Sequence, residues 1–416
     1  MMRSTPGVRK GQASAEFPCP CSPPIPIRRP SMSSPSPMIH LAVLRLDATP
    51  GGLAPALVLC VLAVVFGLFA THLFDRKASL SLPLSLATGL GGFSLLLTLA
   101  TWLKFPPLLL WSALVFTTVG VASLTFFRGG GFPLLRRKLL AWRSRAFRRP
   151  EPSQIAFWII FAFLGLLALP VLLRPITNYD LLSYHLPLSH ALRDGAGWAF
   201  DPTNYYSRQP LGAFSLYAPI LSDRAQTLDD PGVRVILFAA FLASAALCAR
   251  LAGHLGARLL GRSVAALFFV LSPLAWGGLL NAHSDLLTTL FALAGFERLL
   301  SSLPTGRKAS VFLAGAFFGL AVSVKFSALG IVAIPGSLLC LGAFSTRPNK
   351  AFVPKALGLM VAGLAIGYGL WALRATVLAG HPFYPFAFRD LPGFTAAQAA
   401  FVVDHHQPRS PFSAAY

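Results

Sequence analysis

Charged residues are scarce in this chain, and acidic ones are the scarcest. Of its 416 residues only 12% are charged, with 14 Asp and Glu against 35 Lys and Arg, while 55% are hydrophobic. A soluble domain usually carries about 25% charged residues, because most of its surface faces water. The mean hydropathy of +0.65 and apolar runs of the length that a membrane-crossing helix needs exclude an ordinary soluble protein. The composition predicts an all-α polytopic membrane protein.

Cysteine is also rare, and its spacing excludes the sites that cysteine usually builds. Three of the five cysteines, Cys60, Cys248 and Cys340, fall within apolar runs and read as small apolar side chains. Cys19 and Cys21 form a lone C-x-C pair, without the second pair that completes a zinc site. We therefore predict no cysteine metal site.

The first part of the chain lacks the compact apolar core of a signal peptide. It is rich in Pro, Ser and Arg instead, and such a stretch buries too little apolar area to offset the entropy of ordering it. Residues 1–52 are predicted to be a disordered arm without a function of its own. Met32 or Met38 is predicted as an alternative start, with the residues before it an upstream extension of the reading frame.

The net charge of +21 is concentrated in loops. Residues 128–149 carry eight Lys and Arg side chains and no acidic one. A basic loop between two apolar spans is typical of a cytoplasmic loop beside anionic lipid. We therefore place residues 128–153 in the cytoplasm and predict no nucleic-acid partner.

Ten apolar segments predict ten membrane spans. A further apolar stretch, residues 211–221, is bracketed by Pro210 and Pro219 and is too short to cross, so it is predicted to be re-entrant or interfacial. The ten spans are 53–74, 79–103, 105–127, 154–173, 232–250, 263–280, 286–302, 309–324, 326–344 and 356–374.

The spans divide the chain into parts with predicted positions. Positive charges on alternate loops place the long loop 174–231 outside the cytoplasm, together with Lys325 and the turns at 281–285 and 380–385. The predicted parts are three N-terminal helices over 53–127, a seven-helix core over 154–386 and a short extracytoplasmic tail over 387–416.

Polar side chains on this predicted outer face form the candidate site. Asp180 lies near the membrane surface, where an acid is costly unless it faces water, a partner or a substrate. For Asp180 and Asp285 the alternative is helix capping, and for Lys325 it is a side chain that extends to the interface. The other candidates are Tyr184, His185, Tyr206, Arg208, Asn281 and His283.

Four segments carry a resemblance to a known family. They are NYDLLSYHLP at 178–187, SDLLTTLFALA at 284–294, GLAVSVKFSAL at 319–329 and GHPFYP at 380–385. In this order they resemble elements of the GT-C fold glycosyltransferases that use polyprenyl-phosphate sugars, the relatives of protein mannosyltransferases and aminoarabinose lipid A transferases. The chain departs from that family at Tyr179, where an acid or a tryptophan is frequent, and at His381, where Asn is common.

The resemblance implies an inverting sugar transfer from polyprenyl phosphate to a hydroxyl of a glycan, lipid or protein acceptor. The site would face away from the cytoplasm in the cell membrane. Asp180 would then be the general base, while Lys325, with Arg208 second, would stabilise the departing phosphate.

The remaining candidates take supporting roles under the same resemblance. A divalent metal between Asp180 and Asp285 stays open, and no other cofactor is expected. Orientation of acceptor or phosphate would fall to Tyr184, His185 and Tyr206, and a secondary polar site would comprise Asn281, His283 and Asp285.

Two other functions stay open. A transporter or lipid flippase would need charged groups near the membrane midplane, and Glu297 is the clearest charge within a span. The chain ends at Tyr416, soon after the GHPFYP segment, so an inactive truncated relative is the second alternative.

Overall fold

The regular elements of this protein are helices throughout the residues that the structure, a computed structural model, describes. Short helical pieces also occur within 162–172. The described residues are 53–74, 81–127, parts of 162–172, 181–195, 205–221, 231–345 except 305, and 352–383. The predicted arm over 1–52, the basic loop 128–153 and the tail 387–416 lie outside them.

The named α-helices lie over nine of the ten predicted spans, two short ones lie in the predicted loop 174–231, and most of the span 154–173 lies outside the described residues. The helices are α1 (Leu53–Phe74), α2 (Leu82–Trp102), α3 (Pro107–Phe127), α4 (Leu186–Arg193), α5 (Gly212–Tyr217), α6 (Pro231–His254), α7 (Leu259–Val270), α8 (Pro273–Leu280), α9 (Asp285–Ser302), α10 (Lys308–Val324), α11 (Ile334–Ser345) and α12 (Phe352–Ala379). Single π-helical turns precede two of them, Leu181–His185 before α4 and Leu329–Ala333 before α11.

Five of the described helices are long and apolar enough to cross a membrane. Helices suit the interior of a lipid bilayer because they satisfy their own backbone hydrogen bonds. Exposed apolar side chains such as Phe116 and Phe127 have lipid rather than water to face. The all-α polytopic membrane architecture is confirmed. The five spans are Leu53–Leu73, Leu82–Trp102, Leu108–Phe127, Pro231–His254 and Val353–Ala379.

The predicted span 263–280 is broken rather than continuous. Helices α7 and α8 are bent by 48° relative to each other, and only together do they pass as a sixth span. The break falls at Leu271 and Ser272, immediately before Pro273. Proline lacks an amide hydrogen to continue the helical ladder and fits the first turn of a new helix.

The predicted span 326–344 likewise begins later than expected. Lys325 follows α10 in an extended conformation, with φ of −146°, and a turn separates it from the π-helical residues Leu329–Ala333. The polar side chain of Lys325 thus coincides with a real interruption between two helices.

Helices α10 and α12 pack backbone to backbone through glycines. A Cβ atom on Gly315 would lie 2.0 Å from the carbonyl oxygen of Met360, and one on Gly367 would lie 2.3 Å from that of Ala316. Small residues spaced four apart allow this close approach in membrane proteins. The contact fixes the end of α12 beside the residues that follow α10.

The short apolar stretch 211–221 lies inside the bundle, and its side chains are buried. Its backbone finds partners there, since the hydroxyl of Ser94 donates to the carbonyl of Gly212 at 2.8 Å. The indole N–H of Trp111 donates to the carbonyl of Pro219 at 3.0 Å. Irregular backbone is tolerated at membrane depth where protein surrounds it, so this segment is internal.

Candidate functional site

The central feature of the site is an ion pair between two helix ends. Lys325 Nζ donates to Asp285 Oδ1 at 2.6 Å, across 40 residues of sequence. The pair forms because α9 begins where α10 ends in an antiparallel hairpin. The side chains of Lys325 and Asp285 are 51% and 49% exposed. An ion pair with this exposure contributes only about 0–1 kcal/mol to stability, so opening it costs little.

Capping does not explain Asp285. Ser284 occupies the N-cap position of α9 without a side-chain capping bond, and Asp285 follows it in the first turn. The positive end of the helix dipole favours a carboxylate there. The carboxylate of Asp285 bonds to Lys325 instead.

A buried histidine lies beside this ion pair. His185, at the end of the π-helical turn before α4, is buried. The pKa of His185 is lowered to about 3, mainly by burial; the charges of His283 and Lys325 also lower it, and the charge of Asp285 opposes them. The charges of all three residues thus act on His185, whose imidazole is neutral near pH 7.

Aromatic rings hold the His185 side chain in place. The Tyr184 ring stacks on it with centroids 4.5 Å apart, and the Phe214 ring meets it edge-on at the same distance. Such arrangements are favourable for π systems. Helix α5 thus fixes the imidazole that the sequence predicted to orient a substrate.

Tyr217 on α5, which the sequence analysis did not single out, packs near Phe214, the ring that meets His185, with ring centroids 6.4 Å apart. Its side chain is fully buried, and among the described residues its hydroxyl has no hydrogen-bond partner. Burial raises the pKa of Tyr217 well above its usual range, and the negative charge of Asp285 adds to this. A tyrosine in an apolar stretch too short to cross the membrane was the available signal.

A cavity of about 540 Å³ adjoins the ion pair. It lies between the broken pair α7 and α8 and the start of α9, and Leu274 on its wall is 88% exposed on the apolar surface. Its apolar and small lining residues include Phe269, Ala275, Gly277, Gly278 and Leu286, and its polar ones include Asn281, His283, Asp285 and Thr289. Asn281, His283 and Asp285, the residues of the predicted secondary polar site, thus line the polar end of this cavity.

Residues 380–383, the described part of the GHPFYP segment, pack near the same end of the bundle. The Tyr368 hydroxyl donates to a main-chain carbonyl of the segment at 2.8 Å. The Phe383 ring lies 6.2 Å from the ring of Phe326, the neighbour of Lys325 in sequence. Gly380 has φ of +76°, a conformation that glycine adopts without strain.

The other predicted site residues are less fully placed. Arg208 is buried in the 3₁₀ turn Tyr205–Arg208 before α5, unlike the half-exposed Lys325. The side chain of Tyr206 lies outside the described residues, and so does Asp180. The role predicted for Asp180 therefore stays a prediction.

The metal considered between Asp180 and Asp285 stays a prediction, because Asp180 lies outside the described residues. No group of three or more His, Cys, Asp or Glu side chains is arranged within the described part of the chain to hold a metal ion. One oxygen of Asp285 already accepts a hydrogen bond from the cationic Lys325. A metal cation bound to the same carboxylate would be repelled by the positive charge of this lysine.

A second charged cluster lies at the other end of α9. Glu297 is fully buried and accepts a hydrogen bond from Arg298 at 2.7 Å. Arg250 on α6 also bonds to this carboxylate, and His254 Nε2 lies 3.4 Å from it. The clearest charge within a span, of the kind that a transporter would need, is thus paired with neighbouring guanidinium groups.

Comparison with models of known protein families gives no match, and neither do comparisons with characterised proteins or with solved structures.

Proposed function

We propose that this protein is an integral membrane glycosyltransferase that moves a sugar from a polyprenyl-phosphate donor to an acceptor hydroxyl at the extracytoplasmic face. The observation that carries the proposal is the Lys325–Asp285 ion pair at the polar end of an apolar cavity. A ligand that fits this arrangement has an anionic head and an apolar tail. The ordered resemblance to GT-C fold enzymes supports the same class of ligand.

The cavity suits the apolar part of such a donor. Its volume of about 540 Å³ lies within the range of about 300–1,000 Å³ that is usual for small-molecule sites. Leu274 and Leu271 beside the break are exposed to the lipid-facing surface. A long isoprenoid chain would extend from the cavity into the bilayer, while its phosphate stays at the polar end.

The ion pair gives the phosphate a cation at low cost. In the transfer the bond between the sugar's anomeric carbon and the phosphate oxygen breaks, and negative charge grows on the phosphate. Lys325 Nζ, with three N–H donors, would stabilise that charge. Asp285 would act as a positioning residue that holds Lys325 at the polar end of the cavity.

The acceptor hydroxyl needs a base and neutral hydrogen-bonding groups. The acceptor oxygen forms the new bond to the anomeric carbon while its proton passes to the carboxylate of Asp180, the proposed general base. His185 is neutral near pH 7 and can orient the hydroxyl without repelling or attracting charge. Tyr184 supports His185 by stacking.

The test is sugar transfer from a polyprenyl-phosphate donor by the purified full chain. We expect Asp180→Asn to abolish transfer and Lys325→Met to lower it by about 10²–10³-fold, the usual effect of removing a group that stabilises developing charge. Lys308→Met is the matched control, because Lys308 begins the same helix, α10, at its opposite end.

Two results would contradict the proposal. Transfer activity at the wild-type level in Asp180→Asn would show that Asp180 is not the general base. An equal loss of transfer activity in Lys325→Met and Lys308→Met would show that Lys325 has no specific role at the phosphate. Transport of a solute or lipid without transfer would instead favour the transporter or flippase, and the absence of both activities would favour an inactive relative.

A further inference from the structure

The turn between α6 and α7 combines exposed leucines with exposed arginines. Leu255 is 76% exposed and Leu260 is 70% exposed, and Arg258 and Arg262 are also exposed. We call residues 254–262 the basic turn; it contains no Asp or Glu. Large apolar side chains in water are unfavourable, whereas a membrane boundary accommodates leucine in its acyl region and arginine at its phosphate groups.

Helix α7 continues the apolar surface away from the basic turn. Val264, Phe268 and Leu271 are all largely exposed and follow Leu260 at intervals of three or four residues, so they form one stripe along the helix. Together with α8 this helix passes as a broken membrane span. The stripe faces acyl chains, and the basic turn lies at its end.

The buried Glu297 lies 3.4 Å from His254 at the start of the basic turn but does not neutralise the arginines of the turn. Glu297 is fully buried and already accepts hydrogen bonds from Arg298 and Arg250. Arg262 Nε donates to the carbonyl of Ala257 at 3.0 Å, which engages only one of the five N–H groups of its guanidinium. The exposed charge of the turn is therefore positive.

We propose that the basic turn binds an anionic phospholipid, with its phosphate at Arg258 and Arg262 and its acyl chains along α7. Exposed leucines fix the depth of the turn at the membrane boundary, and the charge of the arginines selects an anionic headgroup over a zwitterionic one. The headgroup site does not depend on glycosyltransferase activity, because Arg258 and Arg262 lie at the opposite end of α7 from the break and the cavity.

The test is native mass spectrometry of the detergent-purified full chain titrated with phosphatidylglycerol or phosphatidylcholine. We expect phosphatidylglycerol to bind more tightly to the wild type. Arg258→Gln and Arg262→Gln should each weaken its binding about fivefold, the effect of one interfacial cation near a lipid phosphate. Phosphatidylcholine binding should change much less, and Arg258→Lys should retain most of the preference.

Lys104→Gln is the matched control, because it removes one exposed cation from another place. Lys104 follows α2 near Trp102, and the Trp102 ring packs edge-on against Trp371 of α12. This part of α12 leads to residues 380–383, so Lys104 lies near the candidate site and away from the basic turn. The control should keep the wild-type preference for phosphatidylglycerol. Equal binding of the two lipids by the wild type would overturn the proposal, and so would an unchanged preference in both glutamine variants or an equal loss in the control.

Discussion

Helix α9 carries one carboxylate near each end, and the two have opposite environments. Asp285 is 49% exposed and forms a single ion pair with Lys325 at the polar end of a cavity. Glu297, at roughly 18 Å along the helix by its rise per residue, has no exposed surface and bonds to both Arg298 and Arg250. The two acids of α9 therefore differ in both burial and the number of cationic partners.

The difference separates an acid that stabilises the fold from one that is available to a ligand. Breaking a buried ion pair by removing one partner costs about 3–5 kcal/mol, because a buried charge is left uncompensated. An exposed pair contributes about 0–1 kcal/mol. A transporter would need its buried charge to change partners during the cycle, and the pairing of Glu297 opposes this.

The largest expected effect is at the buried end. Glu297→Gln leaves two guanidinium groups without the carboxylate that they share, and we expect the free energy of unfolding to fall by about 3–5 kcal/mol. Thermal unfolding of the detergent-purified variant, read by size-exclusion chromatography, measures this. A melting temperature equal to that of the wild type would show that Glu297 does not stabilise the fold.

The second effect is a pH dependence at the Asp285 end. The pKa of His185 is lowered from 6.5 to about 3, so between these values the unfolded chain binds a proton that the folded chain does not. The contribution of His185 is therefore fully present above pH 6.5 and is lost as pH falls toward 3, by up to about 1.4 kcal/mol per pH unit. The free energy of unfolding should change less steeply with pH in His185→Gln than in the wild type across this range. Identical slopes in the two proteins would contradict the burial of a neutral imidazole.

The third effect tests the exposed acid against the buried one. Asp285→Asn should lower the free energy of unfolding by less than about 1 kcal/mol, in contrast to Glu297→Gln. In the transfer assay it should still lower activity, since Lys325 loses the carboxylate that positions it. A loss of stability as large as that of Glu297→Gln would place both acids in the same structural role.

The smallest effect is at Tyr217. Tyr217→Phe removes a buried hydroxyl without a described hydrogen-bond partner, so we expect stability to stay equal or to rise by less than about 1 kcal/mol. Denaturation beside the wild type measures this. A fall of 1 kcal/mol or more would mean that the hydroxyl has a structural partner.

Several features of the site were accessible from the sequence. A lone lysine within an apolar hairpin and an acid before an apolar helix singled out Lys325 and Asp285, because charges are costly in such places. His283 and His185 were candidates because they lie in segments that were predicted to share the outer face. Neither argument found Tyr217, since tyrosine in an apolar segment has an ordinary role as a buried aromatic side chain.

The helix breaks were less accessible. Pro273 signals one, yet the apolar run 263–280 is long enough to cross without interruption, and length outweighed the proline in the prediction. The bend of 48° adjoins the cavity between α7, α8 and α9. Composition does not report such cavities, because they depend on how neighbouring helices diverge.

Composition and apolar run length decide that this chain is an all-α membrane protein, because lipid offers no hydrogen bonds and each span must satisfy its own backbone. Which charges meet is decided only by packing. Lys325 reaches Asp285 because α9 and α10 are antiparallel neighbours, and Glu297 is neutralised because α6 brings Arg250 to it. Such contacts join residues far apart in the chain, so only the tertiary structure divides the two acids of α9 between stability and a site.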